Sequence, residues 1–177
     1  RVTKNKKIIA VTGTNGKSTT SKLISDLLNK NKILNFLGGN IGIPLLDFTK
    51  TKKLAKYHVV ELSSFQLESA VSFKPYISIL LNIAPDHLDR YKNYNEYAAQ
   101  KEKIILYNKT GYNIVCIDHK KTRELYRKYN KKIIPISTQY IKKGIYFKND
   151  RIIDNYFDEK KNHEIFISGI SSSLFGL

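Results

Sequence analysis

The chain alternates short apolar runs with longer stretches of amphipathic spacing. Lys7-Ile8-Ile9-Ala10-Val11-Thr12 is apolar at successive positions, as a strand buried on both faces of a parallel sheet requires. A glycine-bearing turn follows. In residues 17–31, Leu23, Leu27 and Lys30 then share a side with Ile24 and Leu28, the spacing of an amphipathic helix. Strand, glycine turn and helix make half of a βαβ unit. Apolar runs at 33–37, 57–62, 77–81, 113–117 and 133–136 predict further strands, and helical patterns at 93–108 and 119–129 fall between them. Alternation of this kind predicts an α/β fold of three layers, with a mostly parallel sheet covered on both faces. After Ser137, residues 144–153 form two short β-like runs about Asn149-Asp150, which predicts a small β-hairpin appended to the sheet. The Ser- and Gly-rich stretch from Ser168 to the end carries no cap or stop, so the expectation is a domain truncated at its C-terminal end.

Length sharpens this to one domain: 177 residues with 41% hydrophobic content can bury one sizeable core but not two. No apolar run approaches the roughly 20 residues that span a bilayer, and the N-terminus lacks the apolar stretch of a secretory signal. The expectation is a cytoplasmic protein without a membrane partner. The single cysteine, Cys116, lies inside an apolar run and reads as a small buried hydrophobe. The net charge of +16 raises nucleic acid as a partner. Yet the lysines are scattered along the chain among abundant Asn, Ile and Tyr, which reads as compositional bias and a solvated surface, with no nucleic-acid partner.

Candidate chemistry begins at Gly13-Thr14-Asn15-Gly16-Lys17-Ser18-Thr19. A full phosphate loop, G-x-x-x-x-G-K-[ST], would place its first glycine at Val11, so this loop is a shortened one. Its physics is intact. Glycines let backbone N–H groups face a polyphosphate, the following helix N-terminus adds a favourable dipole, Lys17 supplies a point charge and Ser18 reaches a phosphate-bound Mg²⁺. The sequence thus predicts a P-loop-type ATP-binding site.

Three other positions add to it. Glu61 closes an apolar strand at the carboxyl edge of the sheet, where α/β ligand sites form, and a carboxylate there can hold Mg²⁺. Asp86, His87 and Asp89 form a polar cluster after a strand on that same edge; alone, a loop histidine is more often a surface residue. Lys101 falls on the inward face of its helix, beside the rows of Tyr94, Ala98 and Ile105 and of Tyr97 and Ile104. Either its stem is packed and its ammonium reaches water, or it is a buried amine of lowered pKa, available in neutral form to react with CO₂.

The segments Thr12 to Thr20, Gly38-Gly39-Asn40-Ile41-Gly42-Ile43-Pro44, Glu61-Leu62-Ser63-Ser64-Phe65-Gln66-Leu67-Glu68 and Asn82-Ile83-Ala84-Pro85-Asp86-His87-Leu88-Asp89-Arg90-Tyr91 occur in this order. Over residues 8 to 117 they resemble the Mur ligases, ATP-dependent amide-bond ligases of peptidoglycan precursor synthesis. Folylpolyglutamate synthetases share the loop but usually continue it as Gly-Lys-Gly-Ser. Within the Mur family, Ser63-Ser64-Phe65-Gln66-Leu67 is similar to the branch that adds D-glutamate to UDP-N-acetylmuramoyl-L-alanine.

The resemblance implies ATP and two Mg²⁺ ions, one near Ser18 and Glu61, the other near His87 and a carbamate on Lys101. It implies catalytic roles for Lys17, His87 and Lys101, nucleotide contacts from Gly13 to Thr19, and substrate contacts from Asn40, Ser63 and His87. It also implies that residues 1–177 are an ATP-binding central domain of a monomeric enzyme, lacking the UDP-binding domain before it and the amino-acid-binding domain after it, and inactive alone. The alternatives are a sister Mur ligase, a folylpolyglutamate-type ligase, or a nucleic-acid-binding P-loop protein.

Overall fold

The computed structural model describes residues 7–40, 55–87, 89–157 and 163–166. Nine strands form one sheet: β1 (Lys7–Thr12), β2 (Asn35–Gly39), β3 (Tyr57–Glu61), β4 (Ile77–Leu80), β5 (Tyr112–Cys116), β6 (Ile133–Ser137), β7 (Ile145–Lys148), β8 (Arg151–Asp154) and β9 (His163–Phe166). Their spatial order is β2-β3-β1-β4-β5-β6-β7-β8-β9. Pairing is parallel from β2 through β7 and antiparallel from β7 to β9. The helices are α1 (Lys17–Lys30), α2 (Ser64–Ser69), α3 (Tyr94–Tyr107) and α4 (Lys120–Tyr129).

The unbroken apolar run in β1 has a direct cause. Ile9 and Val11 pack toward Ile24 and Leu28 of α1, whereas Ile8 and Ala10 belong to the larger cluster with Leu67 of α2, Ile104 and Ile105 of α3 and Leu125 of α4. Both faces of this strand are buried, so both alternate rows are apolar up to Thr12, whose buried hydroxyl donates to the Leu62 carbonyl at 2.8 Å. Ser78 of β4 is likewise satisfied: its buried hydroxyl donates to the Ile104 carbonyl at 3.0 Å.

The predicted α/β class and parallel sheet are present, with three adjustments. The strand expected at 33–37 runs instead over Asn35–Gly39 and ends on two glycines. Gly39 has φ +117°, and a Cβ there would lie 2.2 Å from the Glu61 carbonyl oxygen, so only glycine allows this close pairing. Helix α2 was not expected; a capping box forms it, with Ser63 Oγ accepting from Gln66 N and Gln66 Oε1 accepting from Ser63 N. The appended hairpin is real, its turn carrying Asn149 and Asp150 at φ 48° and 57°. However, β9 adds a third strand, and β7 pairs with β6, so the appendage continues the main sheet. Cys116 is half-buried rather than enclosed, because it sits at the end of β5. The tail from Ser168 and residues 41–44 lie outside the described residues.

Candidate active site

Parallel strands β1, β3 and β4 end on one edge, and the loops leaving them meet there. The loop after β1 is pinned by Asn82, two residues past the end of β4. Asn15 N donates to Asn82 Oδ1 at 2.8 Å, Asn82 Nδ2 donates back to Asn15 O at 3.0 Å, and Thr14 N donates to Asn82 O at 3.1 Å. A Cβ on Gly13 would stand 3.0 Å from Leu81 Cβ, and Gly16, at φ 80°, is the residue before α1. No side chain caps that helix start, so its first N–H groups and the helix dipole are directed outward beside exposed Ser18 and Thr19. Lys17 Nζ reaches back over the loop to the Thr14 carbonyl, 2.8 Å away.

Beside the loop, Glu61 is 1% exposed. Its Oε2 accepts from Ser18 Oγ at 2.8 Å and its Oε1 from Asn40 Nδ2 at 3.1 Å, while Asn40 N donates to the Glu61 carbonyl at 3.0 Å. Both side-chain partners are neutral. A buried carboxylate whose side-chain partners among the described residues are neutral is stabilised when a cation joins it, and a hydroxyl plus a carboxylate are hard oxygen ligands suited to Mg²⁺. Among the described residues no group of three or more His, Cys, Asp and Glu forms a metal cage.

Lys101 lies across the loop on α3. It is 2% exposed, donates from Nζ to the Gly13 carbonyl at 2.9 Å, and sits 5.0 Å from the centre of the Tyr97 ring. Burial, reinforced by the charge of Lys17 and opposed by Asp86, lowers its pKa from 10.5 to about 8. The alternative of an ammonium reaching water is excluded by this enclosure. As an amine it is no metal ligand; only a carboxylate built on it would be. His87 also stands beside Tyr97, with ring centroids 6.1 Å apart. His87 is exposed, has φ 51°, and its Nε2 lies 3.5 Å from Asp86 Oδ2. A non-glycine residue in the left-handed region marks a loop over-determined by its surroundings; here Arg90 N and Tyr91 N both donate to the His87 carbonyl.

The structure therefore gathers the loop, Lys17, Ser18, Asn40, Glu61, His87 and Lys101 on one edge. Ser63 is two residues beyond Glu61, but its hydroxyl is engaged in capping α2. Two contributors escaped the sequence reading. Asn82 fixes the loop, and Tyr97 bonds Thr14 Oγ1 through its hydroxyl at 3.1 Å. Asn82 opens one of the family-like segments, yet nothing in the sequence marks it as the loop's anchor, and Tyr97 is indistinguishable there from a core aromatic.

A mostly parallel sheet with a glycine-bounded loop at the carboxyl end of its central strand belongs to the α/β proteins that bind ligands at that edge. The chain belongs to the Mur ligase middle domain family, whose profile matches residues 11–176. It is 46% identical over 158 residues to UDP-N-acetylmuramoylalanine–D-glutamate ligase of Rickettsia prowazekii, covering 86% of this chain and 35% of that protein. Among solved structures, it is similar to a UDP-N-acetylmuramoyl-L-alanyl-D-glutamate–2,6-diaminopimelate ligase, with a TM-score of 0.71 at 20% identity over 92% of this chain and 39% of the other. It is also similar to MurF ligase from Thermotoga maritima in complex with ADP, with a TM-score of 0.65 at 20% identity over 92% and 41%. The chain spans about a third of the length of the curated relatives it matches.

Proposed function

We propose that this chain is the ATP-binding portion of a ligase that joins D-glutamate to UDP-N-acetylmuramoyl-L-alanine. The observation that carries the reading is the buried Lys101 held against Gly13 of the loop, in a chain 46% identical to a ligase named for D-glutamate. A lysine in that position is costly unless its chemistry is used.

In this reading the N–H groups at the start of α1 cradle the ATP phosphates, and Lys17 exchanges the neutral Thr14 carbonyl for a charged phosphate oxygen. The acceptor's carboxylate attacks the γ-phosphate, releasing ADP and leaving an acyl phosphate. The amine of D-glutamate then adds to that carbonyl, loses a proton, and phosphate departs as the amide forms. Mg²⁺, when bound, neutralises phosphate charge and orients the attacking carboxylate. Ser18 and Glu61 would hold one ion. His87 and Lys101, once its neutral amine has taken up CO₂ and released a proton, would hold the second. Asn40, Ser63 and His87 contact the muramoyl-alanine end. Residues 1–177 form the central domain of a monomeric cytoplasmic enzyme, with substrate-binding domains on either side.

The test is phosphate release by the full-length protein with ATP, UDP-N-acetylmuramoyl-L-alanine and a panel of amino acids. Release with D-glutamate alone among the panel supports the proposal. Equal or greater release with a diamino acid would assign the chain to a sister ligase instead.

A further inference from the structure

The net charge of +16 is not spread evenly in space. At the edge opposite the candidate site, where the parallel strands begin, the connecting segments 31–34, 55–56, 70–76, 108–111 and 130–132 contain six lysines and no Asp or Glu, while the β8–β9 connection, 155–162, holds two lysines with Asp158 and Glu159. Lys7, at the start of β1, and Lys30, at the end of α1, belong to the same edge. These two and the first six are all exposed. Backbone hydrogen bonds set these segments side by side: Lys56 N to Leu34 O, Lys7 N to Lys56 O, Tyr76 N to Ile8 O and Tyr112 N to Tyr76 O. The nearest described carboxylate in sequence, Asp154, is engaged by the amides of Tyr156 and Phe157.

Aromatic rings run between these lysines. Lys7 Nζ is 4.3 Å from the centre of Tyr76 and 6.0 Å from that of Tyr57. Tyr76 meets Tyr112 at 6.0 Å, Tyr112 meets Phe157 at 6.1 Å and Phe157 meets Tyr156 at 5.2 Å, all edge to face. Leu34, Val71, Tyr112 and Phe157 are 66%, 95%, 45% and 60% exposed, so four of the nine exposed large hydrophobics among the described residues stand at this one edge. A cavity of about 210 Å³ opens among them, lined by Lys109, Thr110, Lys131, Lys132 and Asn113. Asn113 is 2% exposed, and its Oδ1 has no hydrogen-bond partner among the described residues.

We propose that this basic, aromatic-laced edge is a docking surface for an anionic phospholipid bilayer. Lysines in clear excess over carboxylates match a negative surface, and Tyr and Phe with exposed aliphatics are the side chains that settle at headgroup depth. The cavity accommodates one headgroup phosphate against Lys109, Lys131 and Lys132, with Asn113 Oδ1 accepting from a glycerol hydroxyl. Single-stranded nucleic acid fits less well. Its bases need open ring faces, whereas these rings pack edge to face on one another, Leu34 and Val71 offer nothing to stack on, and none of these segments holds an arginine. Because β1 spans roughly 20 Å, docking by this edge leaves the ATP-loop edge turned toward the solution and its soluble substrates. The surface stands independently of the ligase reading.

Co-sedimentation of the intact protein tests it, with phosphatidylcholine vesicles made with and without phosphatidylglycerol. Binding should be at least ten-fold tighter to the anionic vesicles and should fall with added salt. At about five-fold per lysine, the triple variant Lys109→Ser, Lys131→Ser, Lys132→Ser should lose at least ten-fold. Phe157→Ser should weaken binding even at low salt. Matching thermal unfolding of variants and parent confirms that the losses are local. Equal binding to both vesicle types, or a triple variant that binds like the parent, overturns the proposal. So does tighter capture of a single-stranded oligothymidine than of anionic vesicles, which would make the edge a nucleic-acid platform.

Discussion

The Nζ of Lys101 and the carbonyl oxygen of Gly13 are 2.9 Å apart, although 88 residues separate them. This contact ties α3 to the loop at the end of β1. Lys101→Ala should abolish ligation in the full-length protein, and short carboxylates such as formate or acetate should restore part of it by replacing the missing carboxylate. A variant with normal activity would remove the second metal site from the mechanism.

The same lysine predicts a pH dependence. Its pKa falls from 10.5 to about 8 on folding because burial disfavours the charged form, so the unfolded chain binds more protons between those values. The penalty is fully present below about pH 8 and disappears as pH rises toward 10.5. Relative to Lys101→Met, the parent should gain stability across that window, by up to roughly 3 kcal/mol. Urea unfolding of both proteins at pH 7 and pH 10 gives the difference; a gap that does not change with pH contradicts the assignment.

Lys17 is half-buried, and its bond to Thr14 O is local. Lys17→Ala should therefore fold normally yet lose about 100-fold or more in turnover, the scale of a removed phosphate-stabilising donor. Titration with a fluorescent ATP analogue and phosphate release check it together. Unchanged affinity with unchanged rate would refute the loop assignment.

Glu61→Gln keeps an acceptor for Ser18 but removes the charge that a cation would meet. Its unfolding temperature should hold or rise, because a buried charge with no cationic partner among the described residues is relieved. The Mg²⁺ concentration needed for half-maximal activity should increase by at least ten-fold. A variant with the parent's Mg²⁺ dependence would place the ion elsewhere.

Gly39→Ala forces a Cβ to within 2.2 Å of the Glu61 carbonyl at φ +117°. We expect a loss of about 2–4 kcal/mol, from strain and displacement of β2. Gly16→Ala, at φ 80° with its nearest neighbour 3.6 Å away, should cost only about 1–2 kcal/mol. Denaturant midpoints of the two variants rank them, and the reverse order would contradict the close pairing of β2 and β3.

Much of this was readable from sequence because burial on two faces leaves continuous apolar runs, as in β1, and because Lys101 interrupts a helical apolar row. What escaped was short or depended on distant partners. Helix α2 has six residues, too few for periodicity, although Ser63 and Gln66 stood at capping-box spacing. Strand β2 ends on two glycines, ordinarily strand breakers, and their reason lies in β3. Strand β9 has four residues at the sheet edge, too short to show a period. The lysines looked scattered because the edge collecting them is built from segments spread over more than a hundred residues.

Asn15 and Asn82 hold each other by two reciprocal hydrogen bonds. The loop thus has its shape before a nucleotide arrives, and the entropy of ordering it belongs to folding rather than to binding. If the loop is the nucleotide cradle proposed above, capture there should be governed by encounter and by the positive field of Lys17, without a slow conformational phase.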